Sequence, residues 1–290
     1  MKKDTFSFKV KSELFENVDK ITLYEILGLL FFNKRITTNN ITFITENNII
    51  CSYISKLLSE GLNVIVDIRE KIFSDKISYT LTVPYLNDRI YIKNLLEKKY
   101  EFKNSCEKAA FLRGAFMTYG TIVYPNHDYH LEFVSHSEML AESLQEILKS
   151  IDQVDIKPKI IKRRNNYVVY IKGSEEIINL LTFMGATSCS MDLIQIKMLK
   201  ELRNRVNRTT NFETANISKI ARVSATQIDR INDIKNSIGL DTLPDDLKEL
   251  AILRLNNPEM SLKDLGENMV PKLSRSGVYH RMQRLLNYKL

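Results

Sequence analysis

Two apolar helical segments, each with a glycine at its centre, constrain this chain more than any other feature. Leu27-Gly28-Leu29-Leu30-Phe31-Phe32-Asn33 and Leu112-Arg113-Gly114-Ala115-Phe116-Met117-Thr118-Tyr119-Gly120 set their glycines 86 residues apart in a chain of 290. Glycine at such a place lets two helix backbones approach with no Cβ between them. The pair therefore predicts two helices meeting at an axis.

The elements that follow each segment come in the same order. Thr22-x-x-Glu25 is a capping-box pattern ahead of the apolar run Ile26 to Phe32. Ile36, Ile41, Phe43 and Ile44 around Asn39-Asn40 predict a β-hairpin. A helix is expected from Asn48 to Leu62, with Ile50, Tyr53, Ile54, Leu57 and Leu58 on one face. A second hairpin is expected at Val64 to Val66 and Ile77 to Val83, then a helix from Pro84 to about Tyr100. In the second copy the helix covers about Glu107 to Thr118. A hairpin follows at Thr121 to Tyr124 and Tyr129 to Val134 around Pro125-Asn126-His127-Asp128. Next come a helix from Ser137 through Leu148, strands Ile156 to Lys162 and Tyr167 to Lys172, and a helix from Ser174 to Met184 ahead of Gly185. Two copies of αββαββα predict an α+β domain with pseudo-two-fold symmetry. The competing reading is an unrelated α+β domain whose helices are ordinary core helices.

Composition narrows the class. Apolar residues at 44% allow a sizeable core, and charged residues at 27% with few Gly and Pro argue against disorder. No apolar run is long enough to cross a bilayer, and Lys9, Lys11 and Glu13 break any signal-peptide core. Cys51, Cys106 and Cys189 are odd in number and form no CxxC pair, which suits unpaired thiols in a reducing cytoplasm. No membrane contact is expected.

Positive charge gathers toward the C-terminus. Residues 203–290 hold 15 Lys/Arg against 10 Asp/Glu, and nothing after Glu267 is acidic. Lys197, Lys200, Arg203, Arg205 and Arg208 mark a basic linker helix over 191–212, and Thr210-x-x-Glu213 suggests a new helix start. Ile217, Ala221, Ile228, Ile231 and Ile238 would form the apolar face of that helix. Pro244 opens a helix that stops before Pro258. Ser261-x-x-Asp264 caps a short one, Leu262 to Met269, and the last helix runs from Ser274 to about Leu286. Two short helices, a turn and a basic second helix make a helix-turn-helix. Val278, Met282, Leu285 and Leu286 share one side of the last helix, and Ser276, His280, Gln283, Arg284 and Asn287 the other. Such a face can enter a major groove, where Arg reads guanine and Gln reads adenine. Lys272, Arg275 and Arg281 flank it, placed for phosphates, and Ser274 and Tyr279 are further candidate DNA contacts. A small helical packing module is the bland alternative.

Other candidates are weaker. Lys157, Lys159, Lys162, Arg163, Arg164 and Lys172 make an acid-free hairpin, which is either a residual DNA contact or a solvated strand face. His127, His130 and His136 lie close together, but their alternation with Tyr129, Leu131 and Phe133 suits surface histidines better than zinc ligands. No Ser-His-Asp grouping, P-loop or GxGxxG pattern occurs. No metal and no cofactor is expected; a small ligand sensed by the N-terminal domain stays open, with no site for it evident in the sequence.

The paired glycine motifs and the element order resemble LAGLIDADG homing endonucleases. In that family the last Asp of each motif binds a divalent metal between scissile phosphates; Asn33 and Tyr119 stand at those positions here, and Phe31 and Met117 replace the earlier Asp. The resemblance therefore implies a nuclease fold without its catalytic acids, and no enzyme activity. Leu273 to Met282 resembles region 4 of sigma factors, with a turn two residues longer than usual. Arg205-Val206-Asn207-Arg208, Asn211-Phe212-Glu213-Thr214-Ala215-Asn216 and Ser274-Arg275-Ser276-Gly277-Val278 with His280-Arg281 resemble the joint and last helix of the WhiA family. That family combines a degenerate LAGLIDADG domain, here 1–190 with halves of about 1–104 and 105–190, with a helix-turn-helix domain, here 213–290. The resemblance implies a nucleoid-associated transcriptional regulator tied to cell division, chromosome segregation or sporulation. Its partners would be double-stranded DNA and RNA polymerase, a sigma factor or a division-regulating protein. A low-specificity DNA-organising factor acting through protein partners is the alternative.

Overall fold

The computed structural model describes residues 5–18, 20–73, 76–123, 128–152 and 154–289. The chain forms two compact units, Met1–Leu199 and Lys200–Leu290.

Unit 1 begins with a helix the sequence analysis did not anticipate. Helix α1 (Phe6–Glu16) is capped by Thr5, whose side chain accepts from the Phe8 amide, and it buries Phe6, Val10 and Leu14 at i, i+4 spacing. Thr22 caps α2 (Leu23–Phe31) by accepting from the Glu25 amide. Strand β1 (Thr42–Thr45) and helix α3 (Asn48–Leu62) follow, then strands β2 (Asp67–Phe73) and β3 (Lys76–Thr82) and helix α4 (Leu86–Glu97). The second copy is helix α5 (Ser105–Tyr119), strands β4 (Gly120–Ile122) and β5 (Leu131–Ser135), helix α6 (Glu138–Lys149), strands β6 (Lys159–Arg163) and β7 (Asn166–Ile171), and helix α7 (Ser174–Met184). Gly185 ends α7 in the left-handed region at φ 101°.

The sheets show the repeat directly. The first is ordered β1-β3-β2 and the second β4-β5-β7-β6, all antiparallel. Matching β1 to β5, β3 to β7 and β2 to β6 leaves β4 without a full counterpart. In the first half that place holds a single bridge between Ile36 and Ile41. The hairpin expected around Asn39-Asn40 is therefore one strand and a bridge. Thr37 turns the chain by bonding to the Asn40 backbone in both directions, and so uses the groups a longer ladder would need. Likewise Val64 to Val66 is not a strand, because the ladder with β3 starts at Asp67. Residues 124–127, and with them most of the turn expected at Pro125-Asn126-His127-Asp128, lie outside the described residues.

Helices α2 and α5 cross at the centre of unit 1, and the two glycines set how closely. A Cβ on Gly28 would fall 1.9 Å from the Phe111 carbonyl oxygen, and one on Gly114 would fall 2.0 Å from that of Glu25. Glu25 is fully buried there. Arg113 grips its carboxylate with both arms, Nε to Oε1 at 2.9 Å and one terminal nitrogen to Oε2 at 3.0 Å, and the Tyr53 hydroxyl donates to it at 2.7 Å. A buried carboxylate is tolerable only when satisfied this completely.

Helix α8 (Thr187–Ser237) is continuous, which corrects the break expected at Thr210. The reason is visible in the sequence: no Gly or Pro stands between Gly185 and Gly239, so the capping-box pattern has no chain reversal to cap. Its buried positions in unit 2 are Ser224, Gln227, Ile231 and Ile234; of the expected face Ile231 is buried and Ile228 half-buried, whereas Ile217, Ala221 and Ile238 are exposed; Ser224 donates to the Pro258 carbonyl. A 3-10 turn (Leu240–Thr242), α9 (Asp245–Asn256), α10 (Leu262–Glu267) and α11 (Arg275–Leu286) complete the unit. Leu247, Leu250, Ala251, Leu265, Met269, Val278, Met282 and Leu285 form its core with Ile231 and Ile234. The Ser261–Asp264 capping box forms in full. Buried Arg254 holds the chain after α9 by donating to the carbonyls of Asn257, Pro258 and Met260.

Candidate nucleic-acid interface

The α10–α11 pair depends on one glycine. The Leu273 amide donates to the Gly266 carbonyl at 2.9 Å, and a Cβ on Gly266 would lie 2.2 Å from the Leu273 oxygen. This close pass brings the chain round to Ser274, which caps α11 by accepting from the Gly277 amide at 3.2 Å. Val278, Met282 and Leu285 then fix the inner face of α11 against the core, which leaves Lys272, Ser274, Arg275, Ser276, Tyr279 and His280 exposed at its start. Among the described residues neither Lys272 nor Arg275 has a carboxylate partner.

The second half of α11 is arranged differently. Arg284 donates to Asp246 at 3.0 Å and Arg281 lies 3.8 Å from the same carboxylate. The helix itself is acid-free, as its sequence shows, but α9 supplies the acid from its first turn. Gln283 is half-buried. An exposed pair of this kind contributes about 0–1 kcal/mol, so exchanging Asp246 for a base or phosphate is a small expense.

Helix α8 adds donors the sequence analysis missed. Asn216, Lys219 and Val223 line one wall of a groove of about 910 Å³ whose other wall is Arg275, Ser276, Tyr279 and His280. Lys219 lies i+3 from Asn216 on one helix face.

In unit 1 the two motif ends meet at a cavity of about 430 Å³ lined by Asn33, Arg35, Thr118, Tyr119, Thr121 and His136 among others. Asn33 donates to the Thr42 carbonyl at 3.2 Å and accepts from the Arg35 amide at 2.9 Å, so its amide is spent on a turn. Tyr119 packs edge-on to Phe32, and burial pushes its phenol well above its ordinary value. Phe31 packs on Phe111, and Met117 is fully buried. The cavity wall contains no carboxylate, but it does contain Lys11, which is 6% exposed and which burial pushes down to about 8. A divalent cation needs several hard oxygen ligands, and a wall with a buried ammonium, two further cations and no carboxylate does not fit one.

The remaining candidates are accounted for locally. His130 pairs with Glu132 and stacks on Tyr170, while His136 bonds to the Phe32 carbonyl. His127 lies outside the described residues, among which no group of three or more His, Cys, Asp or Glu gathers for a metal. In the β6–β7 hairpin Lys159, Lys162, Arg164 and Lys172 are exposed, Lys157 pairs with Asp155, and Arg163 pairs with Glu132. No helix among the described residues is long and apolar enough to cross a membrane.

Residues 206–288 match the WhiA C-terminal HTH domain, and residues 108–203 match the WhiA LAGLIDADG-like domain. A protein of Thermoanaerobacter pseudethanolicus named "Probable cell division protein WhiA" is 38% identical over 265 residues, covering 85% of this chain and 82% of that one. One of the same name from Clostridium beijerinckii is 33% identical, covering 97% and 96%. The crystal structure of full-length DUF199/WhiA from Thermotoga maritima superposes with a TM-score of 0.61 at 28% identity, over 97% of this chain and 96% of that one. These matches run along nearly the whole length of the chain and of its relatives, and the chain belongs to the WhiA family.

Proposed function

We propose that this chain is a sequence-reading, double-stranded-DNA-binding transcriptional regulator linked to cell division, without nuclease activity. The observation that carries this reading is the start of α11, where Lys272, Arg275, Ser276, Tyr279 and His280 are exposed together and the two cations lack acidic partners. Lys272, Ser274 and Arg275 would take phosphates, with Arg281 beside them. Ser276, His280, Gln283 and Arg284 would face base edges, with Tyr279 between the two sets. The names of the relatives support the link to division; roles in chromosome segregation or sporulation extend it. We assign residues 1–190 to the degenerate nuclease domain, 191–212 to a basic connector and 213–290 to the DNA-reading domain, working at the nucleoid with RNA polymerase, a sigma factor or a division-regulating protein. The absence of nuclease activity rests on Asn33 and Tyr119 at the metal positions and on Lys11 beside them.

Fluorescence anisotropy on duplexes selected from random sequence tests this reading. Wild type should bind a small set of sites, with log K falling steeply against log salt. Arg275→Ala should reduce that slope by about 1, whereas Gln283→Ala should cost about 1–3 kcal/mol on the preferred site and relax its sequence. Equal affinity for every duplex, unchanged in both variants, would refute it.

A second reading has its own support. The exposed cations of the β6–β7 hairpin suit low-specificity DNA binding by unit 1, with action through protein partners. It predicts that Lys162→Glu, and not Arg275→Ala, abolishes binding.

A further inference from the structure

The cavity where the two motif helices end holds a charge that nothing among the described residues satisfies. Lys11 reaches it from α1, which packs against α3, α5 and β4. Its side chain is more than nine-tenths buried. Its ammonium lies over the Phe116 ring, 5.7 Å from the centroid. Among the described residues it has no carboxylate and no hydrogen-bond acceptor. Withdrawing an ammonium from water without a counter-charge is strongly unfavourable, so this is a poor place for a lysine that serves packing alone. Two more cations, Lys34 and Arg35, stand on the same wall, and no Asp or Glu does.

Neutral donors and apolar side chains, among them Phe32, Phe43, Ile50 and Ile54, complete the lining. The Tyr119 and Thr121 hydroxyls carry no hydrogen bond to other described residues, and the Asn166 amide stands at the rim. Other polar groups of the wall are already used: Thr118 donates to Gly114, Ser135 to Ser137, and Asn33 to Thr42. What remains is three cations and several free donors around about 430 Å³, which is the size of a small-metabolite site and too large for a bare ion. A dianion with several acceptor oxygens at one end and a polar body matches it better than a monoanionic carboxylate does.

We propose that this cavity binds a small phosphate-bearing metabolite, with Lys11 and Arg35 on the phosphate and Tyr119, Thr121 and Asn166 on the rest of the molecule. The site does not depend on the DNA-reading role of α11. It would make the former catalytic centre a sensor, with occupancy repaying the desolvation of Lys11 and so stabilising unit 1.

Thermal unfolding of the full chain tests this, with glucose 6-phosphate, inorganic phosphate, glucose and sulfate as probes at matched ionic strength. Glucose 6-phosphate should raise the Tm of wild type by a few degrees along a saturating curve. Inorganic phosphate should do so less, and glucose not at all. Lys11→Met, which replaces the ammonium with an apolar chain of similar length, should stay folded with an equal or higher ligand-free Tm and lose the response. Arg35→Gln is exposed and leaves packing untouched; it should weaken the response several-fold. Sulfate acting as strongly as the sugar phosphate would show a general salt effect and overturn the proposal. An undiminished response in Lys11→Met would overturn it too. If the sugar phosphate is silent but a short duplex protects wild type and not Lys11→Met, the charge serves a DNA phosphate and the small-ligand proposal fails.

Discussion

At the centre of unit 1, Glu25 is out of reach of water, and Arg113 and Tyr53 give its two oxygens three hydrogen bonds. Along α11 and the turn before it in unit 2, Lys272, Arg275 and Arg284 are exposed and Arg281 is half-buried, and among the described residues only Arg281 and Arg284 of these four have an acid beside them. Both regions rely on glycine to bring backbones into contact, at Gly28 and Gly114 in one and at Gly266 in the other. The shared device makes the scaffold, and the opposite handling of charge separates the roles. A buried, saturated pair fixes one arrangement of helices and has nothing left to offer a ligand. Exposed cations held on a rigid helix contribute little to stability and are free to meet phosphates and bases. Lys11 belongs to neither class, being buried like Glu25 but unpaired like Arg275, which is why its cavity stands out.

The comparison breaks most readily at the glycines. Gly114→Val should unfold unit 1 or destabilise it by more than about 4 kcal/mol in denaturant melts, because its side chain would enter the Glu25 backbone. A loss below 1 kcal/mol would mean that the helices are not so close. Arg113→Met should cost about 3–5 kcal/mol by stranding the Glu25 carboxylate, whereas the Glu25→Leu/Arg113→Met double variant should recover most of it. No recovery would show that the pair does more than satisfy itself.

Lys11 sharpens the contrast through pH. Burial lowers its folded-state value from 10.5 to about 8, so between those values the unfolded chain binds more protons and stability rises with pH. In phosphate-free buffer, wild type should gain up to about 3 kcal/mol relative to Lys11→Met between pH 8 and 10.5. Lys34, Arg35, Tyr119 and His136 face the same cavity, and since Lys11→Met retains all four, the difference isolates Lys11. A flat difference would place the ammonium in water. The smallest effect is expected at Asp246. Asp246→Asn frees Arg281 and Arg284 and should tighten DNA binding by at most a few-fold, with stability changed by less than about 1 kcal/mol. Weaker binding would mean that Asp246 positions the arginines.

Much of this was legible before any coordinates. The glycine spacing predicts the crossing of α2 and α5, and the caps at Thr22, Ser261 and Ser274 predict three helix starts, because caps and close contacts leave local signatures. Helix α1 was equally readable from Thr5 with Phe6, Val10 and Leu14, and missing it concealed Lys11. The pattern at Thr210-x-x-Glu213 misled because a capping box marks a start only where the chain turns, and no breaker separates Gly185 from Gly239. The bridge in place of a strand at Ile36, the Glu25–Arg113–Tyr53 network, the groove lined by Lys219 and the Asp246 pairs are tertiary. They join residues whose separation in sequence carries no periodic signal.

Genome-wide DNA occupancy of wild type against the Gln283→Ala/Arg284→Ala variant tests the central claim most directly. The account predicts a few sharp peaks that vanish in the variant while the protein stays folded. A diffuse profile, unchanged by the substitutions, would contradict it and move DNA binding away from α11.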